Sequence, residues 1–197
     1  MNRRSAIAMG LVVIGSAFAA NAPILSAAEA GFVTLLEGAK GMENFNQIGN
    51  ANWRVMDDSI GANLGNGFLV TKQSYQDFQL RAEVWVDTPA NSGIFIRAEN
   101  PQNVGGGSSY EVNIFDTRPG AEYATGAIVN IAKVIGAPKA GGKWNVMEIV
   151  AKGPQMTITF NGVKSAEGSD TKHPRGRIAL QYGGGLVKFR KVEIKAL

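Results

Sequence analysis

The feature that most constrains the fold of this chain is an apolar residue at every second position from Phe78 to Val86. Successive side chains of a β-strand point to opposite faces of a sheet, so this pattern predicts a strand with one buried face. Shorter stretches of the same kind recur along the chain, separated by Gly, Pro and Asn. No segment after residue 30 repeats its apolar residues at a helical spacing. The sequence therefore predicts roughly ten to twelve short strands that form an antiparallel β-sandwich.

One hairpin and one loop can be assigned near the C-terminal end of this pattern. Trp144–Ala151 and Met156–Phe160 are predicted to pair as antiparallel strands. Asn161-Gly162 follows them as a tight turn, because both residues tolerate a positive φ. The segment from Ser165 to Arg175 is polar and is predicted to be a loop.

The first 30 residues differ in composition from the rest of the chain. A basic start, Asn2-Arg3-Arg4, precedes the apolar stretch Ala6–Ala20, and Ala28-Glu29-Ala30 supplies a small-x-small cleavage site before Gly31. This order indicates a signal peptide at residues 1–30 and one domain at residues 31–197. The alternative is a membrane anchor, but the apolar run of about 15 residues is shorter than the roughly 20 that a spanning helix needs. We expect a periplasmic or secreted protein with no membrane partner after cleavage.

Charge and cysteine content argue against several classes of site. The net charge is +4, and the basic residues are scattered instead of forming the patch that nucleic-acid binding requires, so we expect no nucleic-acid partner. The chain has no cysteine, which excludes disulfides, iron–sulfur clusters and thiolate zinc sites. The single histidine, His173, lies in a polar segment and is expected to be solvated. No metal-ligand spacing surrounds it, and we expect neither a metal nor a cofactor.

A predicted hairpin between residues 91 and 116 carries the polar residues that point to a binding site. Phe95 and Arg97 alternate with core residues on its first strand, and Glu111 and Asn113 do so on its second. Side chains two residues apart share one face of a strand, so an arginine, a carboxylate and an amide are expected together. Other residues predicted on non-core faces are Arg81, Glu83, Trp85 and Gln181.

Three interpretations of this polar face remain open from the residues alone. Trp, Arg, Glu and Asn together suit a sugar, because the ring stacks on an aromatic group and the hydroxyls form bidentate hydrogen bonds. The same residues also suit an ordinary solvated sheet, in which cross-strand Arg–Glu pairs are common. A protein-interaction module would instead present a larger apolar patch.

The sequence also resembles a known family, the 3-keto-disaccharide hydrolase domain, a former domain of unknown function with a concanavalin-like jelly-roll fold. The resemblance covers nearly the whole of residues 31–197. Its most specific segments are Asn91–Arg97, Tyr110–Ile114, Gly142–Asn145 and Gly176–Gln181. The resemblance implies an all-β jelly roll that acts on carbohydrates.

For function, the resemblance implies an exported hydrolase or lyase that cleaves the glycosidic bonds of 3-keto-glycosides or 3-keto-disaccharides. A ketone at C3 acidifies the C2 proton; a base removes it, the enolate expels the C1 substituent, and water adds back. This chemistry requires a general base and a group that stabilises the enolate oxygen. Our hypothesis is that Glu111 is the base and that Arg97 and Asn113 hold the keto or enolate oxygen. The residues expected to bind the substrate are Arg81, Glu83, Trp85, Gln181 and Tyr182.

Among these residues, Trp85 or Tyr182 is expected to stack on the sugar ring. Family members often carry a histidine after the penultimate strand, in a Gln-x-His-Gly-like turn. Here the turn reads Gln181-Tyr182-Gly183-Gly184 and contains no histidine. A non-catalytic carbohydrate-binding sandwich is therefore the alternative function, and the sequence leaves the sugar, the linkage and the oligomeric state open.

Overall fold

The computed structural model describes residues 31–197, so the predicted signal peptide lies outside the described residues. These residues form thirteen β-strands and two single-turn 3-10 helices, Met42–Asn44 and Ala121–Tyr123. The strands are β1 (Val33–Glu37), β2 (Phe45–Gly49), β3 (Arg54–Met56), β4 (Ser59–Ala62), β5 (Gly67–Thr71), β6 (Phe78–Val86), β7 (Ser92–Ala98), β8 (Tyr110–Ile114), β9 (Trp144–Lys152), β10 (Gln155–Phe160), β11 (Val163–Ser169), β12 (Arg177–Tyr182) and β13 (Val187–Ala196).

The strands form two antiparallel sheets, which confirms the predicted all-β sandwich. Sheet A has eight strands in the order β11-β10-β9-β6-β13-β4-β3, and β1 joins it through β13. The long strand β13 pairs with β4 along Val187–Phe189 and with β1 along Lys191–Ile194. Sheet B has five strands in the order β2-β5-β12-β7-β8.

The core lies between the two sheets and follows the alternation seen in the sequence. On β6 the residues from Phe78 to Val86 are alternately buried and half-buried, as the two-residue period predicts. Sheet B contributes Ile94, Val112 and Leu180 to the same core, all with no exposed surface. Within residues 31–197 no helix is both long enough and apolar enough to cross a membrane.

The β10–β11 hairpin confirms one prediction and corrects another. Asn161 and Gly162 have φ values of 50° and 80°, as the tight turn requires. The predicted loop from Ser165 to Arg175 is wrong in its first part, because β11 continues to Ser169. This strand lies at the edge of sheet A, where pairing with β10 supplies its backbone hydrogen bonds and few of its side chains are buried.

A β-bulge in β7 decides which way Arg97 points. The pairing of β7 with β12 shifts register between Phe95 and Ala98, and Arg97 has a φ of 54°. Gly176 makes room for this bend, since a Cβ there would lie 2.3 Å from the Arg97 carbonyl carbon. The bulge breaks the alternation, so that Ile96 and Arg97 are both turned into the interior.

Candidate functional site

The outer face of sheet B, which we call face B, brings together two of the predicted site residues. Phe95 pairs with Glu111 on β8 and with Ala179 on β12. One step along the strands, Gly93 has no side chain, and the side chains of its neighbours close over it. A Cβ at Gly93 would lie 3.3 Å from Gln181 Oε1 and 3.6 Å from Glu111 Cγ. Glu111 and Gln181 therefore lie on either side of Gly93 on one face of sheet B.

The rest of face B is apolar. Val70, Phe95 and Ala179 form a small buried cluster that is separate from the main core. Phe68 packs edge-to-face on Phe95, with ring centroids 5.3 Å apart, and stays half-buried. Val104, from the segment between β7 and β8, covers part of the cluster. Face B thus offers an apolar surface beside Glu111 and Gln181.

Glu111 also lines an open polar cleft of about 500 Å³. The cleft is formed where β8 meets three connecting segments, and its lining includes Gly106, Ser109, Arg118, Asn130 and Lys172. The glycine-rich segment between β7 and β8 contributes Gly106 to this lining, and the segment after β8 contributes Arg118. Burial raises the pKa of Glu111, and the positive charge of Arg118 opposes this shift.

The carboxylate of Glu111 is not committed to any structural contact. Within residues 31–197 it forms neither a hydrogen bond nor an ion pair, although most of the other residues that line the cleft are polar. A half-buried carboxyl group with a raised pKa holds its proton more tightly than an exposed one, and its deprotonated form is a stronger base. Glu111 is therefore suited to general acid–base chemistry.

Asn113 is buried and holds the segment that carries Arg118. Its Nδ2 donates to the carbonyl oxygen of Tyr123 at 2.6 Å, and its side chain has no exposed surface. In the same segment Asp116 accepts hydrogen bonds from Thr125 Oγ1 at 2.6 Å and from the backbone N–H of Ala140 at 3.0 Å. The Oδ1 atom of Asn113 has no partner. Asn113 therefore positions the segment, and it has no exposed surface through which to contact a keto oxygen.

The expectation that Arg97 shares face B with Glu111 is wrong, because the bulge in β7 turns its side chain towards sheet A. Arg97 is 1% exposed. Its guanidinium donates to the carbonyl oxygens of Gln76 at 2.9 Å and Gly153 at 2.7 Å, and to Asp77 Oδ1 at 3.2 Å. These contacts use its donors to join the two sheets at one end of the sandwich.

The expectation that Arg81, Glu83 and Trp85 neighbour Glu111 is also wrong, because β6 belongs to sheet A. Their side chains lie on the outer surface of that sheet, which we call face A, with the core between them and face B. Arg81 pairs with Glu193 at 3.2 Å, and Glu83 accepts from Arg190 Nε at 2.7 Å. These cross-strand pairs match the solvated-sheet interpretation of the same residues.

Tyr182 is likewise not available to stack on a sugar at face B. Side chains alternate along β12, so Tyr182 points to the core while its neighbour Gln181 points outwards. Its ring packs edge-to-face on Trp53 with centroids 6.4 Å apart, and its hydroxyl donates to the carbonyl oxygen of Gly185. The aromatic rings of the cluster on face B are Phe68 and Phe95. The sequence placed Phe95 on this face and did not single out Phe68.

His173 is buried, contrary to the expectation of a solvated histidine. Its Nδ1 lies 3.2 Å from Glu99 Oε2, and its ring packs against Tyr110 with centroids 5.0 Å apart. The Tyr110 hydroxyl donates to Asp170 at 2.6 Å and accepts from the backbone N–H of His173. This cluster lines the cleft beside Glu111. The sequence indicated only a polar segment around His173. The path of the segment between β11 and β12 brings Asp170 and His173 next to Tyr110 of β8, and the alternation of residues does not report that path.

Comparisons with known proteins agree with the fold. The model of the family described as a 3-keto-alpha-glucoside-1,2-lyase-like domain matches residues 31–195. Two candidate glycosyl hydrolases from Parabacteroides distasonis have similar structures. The first is 25% identical with a TM-score of 0.70, covering 84% of this chain and 99% of the other; the second is 18% identical with a TM-score of 0.73, covering 85% and 94%. No curated protein sequence matches this chain.

A carbohydrate-binding module from Bacillus subtilis also shares the fold. It is 15% identical with a TM-score of 0.61, and the match covers 84% of this chain and 96% of the module. At this identity the likeness concerns the fold alone. Similar sandwiches thus occur in proteins described as hydrolases and in proteins described as binding modules.

Proposed function

Because the chain belongs to the family of 3-keto-α-glucoside-1,2-lyase-like domains, we propose that it cleaves the glycosidic bond of a glycoside or disaccharide carrying a ketone at C3. The observation that carries this proposal is Glu111, a half-buried carboxyl group with a raised pKa and no structural partner, which lines a polar cleft. A base of this kind is what removal of the C2 proton requires.

In the proposed reaction Glu111 takes the proton from C2, and the electron pair of the broken C–H bond forms an enolate on the C3 oxygen. When the ketone reforms, a C1–C2 double bond forms and the C1–O bond breaks. The proton now held by Glu111 is available to the departing oxygen. Addition of water, with hydroxyl to C1 and a proton to C2, completes hydrolysis; release before this step makes the reaction a lyase reaction.

The enolate oxygen requires a positive or hydrogen-bonding group. Arg97 was our first hypothesis for this role, but its guanidinium is bound to Asp77 and to backbone carbonyls. We now assign the role to Arg118, which lines the cleft with Glu111. The positive charge of Arg118 lowers the pKa of Glu111, against the effect of burial. Gln181 lies beside Glu111 over Gly93 and is the amide that we assign to a sugar hydroxyl.

The test is to incubate the purified protein with a 3-keto-glucoside and to measure release of the aglycone. We expect release by the wild type, and Glu111→Gln is expected to slow it by about 100- to 10,000-fold, the usual contribution of a general base. Glu148→Gln is the matched control, since Glu148 is a half-buried carboxylate on face A. Equal release by Glu111→Gln and the wild type would remove Glu111 from the role of base.

A non-catalytic carbohydrate-binding sandwich is the second candidate function. It is favoured by the end of β12 and the turn that follows. Tyr182, the last residue of the strand, is buried, and residues 183–185 are glycines, which carry no titratable side chain. Calorimetric titration with the same 3-keto-glucoside separates the two candidates. Measurable binding by the wild type without any release of aglycone would support the binding function and contradict the enzyme.

We further propose that the protein acts in the periplasm or outside the cell. This rests on the N-terminal sequence, in which a basic start, an apolar run and the site Ala28-Glu29-Ala30 precede Gly31. The chain contains no cysteine, so an exported form of it would depend on its core, and not on disulfides, for stability. N-terminal sequencing of protein recovered outside the cytoplasm is expected to begin at Gly31. A chain recovered there with its first residues intact would contradict cleavage.

A further inference from the structure

A surface patch at one end of the sandwich has no part in the proposed reaction. It is formed by the tip of the β10–β11 hairpin and by the segment before β9. Val163 at the hairpin tip is 70% exposed, and Ile135 in the other segment is 54% exposed. The backbone N–H of Ile135 donates to the carbonyl oxygen of Ser165 at 2.7 Å, which holds the two tips side by side.

Three lysines surround these two aliphatic side chains. Lys139, Lys143 and Lys164 line the same groove of about 270 Å³, together with Pro138. Lys164 is paired with Glu167 at 2.6 Å, and Lys139 donates to a backbone carbonyl oxygen. Lys143 has no hydrogen bond or ion pair within residues 31–197. Three lysines against one paired carboxylate leave an excess of positive charge around an apolar centre. We call this surface the lysine-rimmed patch.

We propose that the lysine-rimmed patch docks on an anionic lipid bilayer. Exposed aliphatic tips insert among the headgroups and first methylenes of a bilayer, and lysines around them are attracted to anionic headgroups. This proposal does not depend on whether the chain cleaves sugars. It departs from the sequence-based expectation of no membrane partner. That expectation rested on the length of apolar runs in the sequence, whereas the patch brings together residues from separate segments.

Other occupants fit the lysine-rimmed patch less well. Two turns of a helix about 10 Å across need more room than this groove offers, so an amphipathic peptide is poorly accommodated. A second copy of the chain, docked through the same surface, would bring lysines against lysines. A sugar lacks the apolar surface that Val163 and Ile135 require, and the lining of the groove contains no exposed aromatic ring on which a sugar could stack.

The test measures flotation of residues 31–197 with vesicles, because this segment holds the whole sandwich and the apolar run at residues 6–20 would bind lipid by itself. We expect binding to vesicles of phosphatidylcholine with phosphatidylglycerol, no binding to phosphatidylcholine alone, and weaker binding as salt is raised. The double variant Ile135→Ser/Val163→Ser is expected to lower the partition coefficient by at least roughly tenfold, and Lys143→Gln by about fivefold.

The matched control is Leu64→Ser, because Leu64 is 70% exposed, like Val163, and lies outside the patch. We expect this variant to bind like the wild type. The proposal is overturned if vesicles with phosphatidylglycerol bind no protein, if both kinds of vesicle bind equally, or if Leu64→Ser loses as much binding as the double variant. Melting curves of all variants verify that each remains folded.

Discussion

Glu111 shows how one residue can be favourable for chemistry and unfavourable for folding. Its carboxylate is half-buried and unpaired, so deprotonation in the folded state costs more than in the unfolded chain. Residues that serve the structure have the opposite character: Arg97 and Asp116 are buried or half-buried, and their polar atoms are engaged. The absence of a structural partner therefore distinguishes the proposed base from Arg97 and Asp116.

This difference predicts opposite effects of pH on stability and on activity. The pKa of Glu111 is raised above its ordinary value of 4.5, so the folded protein binds this proton more tightly than the unfolded chain. Its contribution to stability is present below pH 4.5 and is lost as the pH rises through the folded pKa. Activity requires the deprotonated base, so kcat/KM is expected to rise over the same interval.

The measurement is the melting temperature of the wild type and of Glu111→Gln as a function of pH. At neutral pH the variant is expected to melt at a higher temperature than the wild type, and the difference is expected to shrink as the pH falls towards 4.5. A variant that is less stable than the wild type at neutral pH would show that the carboxylate makes a stabilising contact.

At the scale of single elements, β7 and β11 show where a sequence pattern is sufficient and where it is not. Alternation correctly assigned β6, β9 and the β7–β8 hairpin, because each buries one face against the core. It failed at Arg97, where a bulge shifts the alternation by one residue without changing the composition of the strand. It also failed at β11, an edge strand with little buried surface to impose a pattern.

The bulge in β7 yields a test at this scale. Gly176→Ala would place a Cβ 2.3 Å from the Arg97 carbonyl carbon, so the two strands must move apart. We expect a loss of about 1–3 kcal/mol in the free energy of unfolding, measured with denaturant. Gly107→Ala is the control, because a Cβ there meets nothing within 4 Å, and its effect is expected to stay within about 0.5 kcal/mol. Equal effects would contradict the close approach.

At the scale of the whole molecule, the two sheets separate polar surfaces that look alike in the sequence. Face A carries Arg81, Glu83 and Trp85, while face B carries Glu111 and Gln181, with the core between them. Both sets lie on two-residue spacings, and alternation alone does not report which sheet a strand joins. The cleft depended further on connecting segments, whose paths no local pattern specifies. The sequence thus predicted the sandwich and singled out Glu111 and Gln181, but it did not single out Arg118.

Trp85→Ala tests this separation. The Trp85 ring lies under Lys188, whose Nζ is 4.8 Å from the ring centroid, so we expect a loss of stability of about 1 kcal/mol. Release of aglycone from a 3-keto-glucoside is expected to change by less than about twofold, because the core separates Trp85 from Glu111 and distant sites usually act independently. A loss of activity well beyond this, in a variant that remains folded, would indicate that face A contacts the substrate.

The position of β13 has a consequence for how the chain matures. This strand is the last of the thirteen in sequence order, yet it lies inside sheet A, where β6 pairs with one of its edges and β4 and β1 pair with the other. Sheet A therefore cannot close while the C-terminal residues are still within the ribosome. If the chain is exported as proposed, this delay keeps sheet A open while a translocon that accepts only unfolded polypeptide threads the chain.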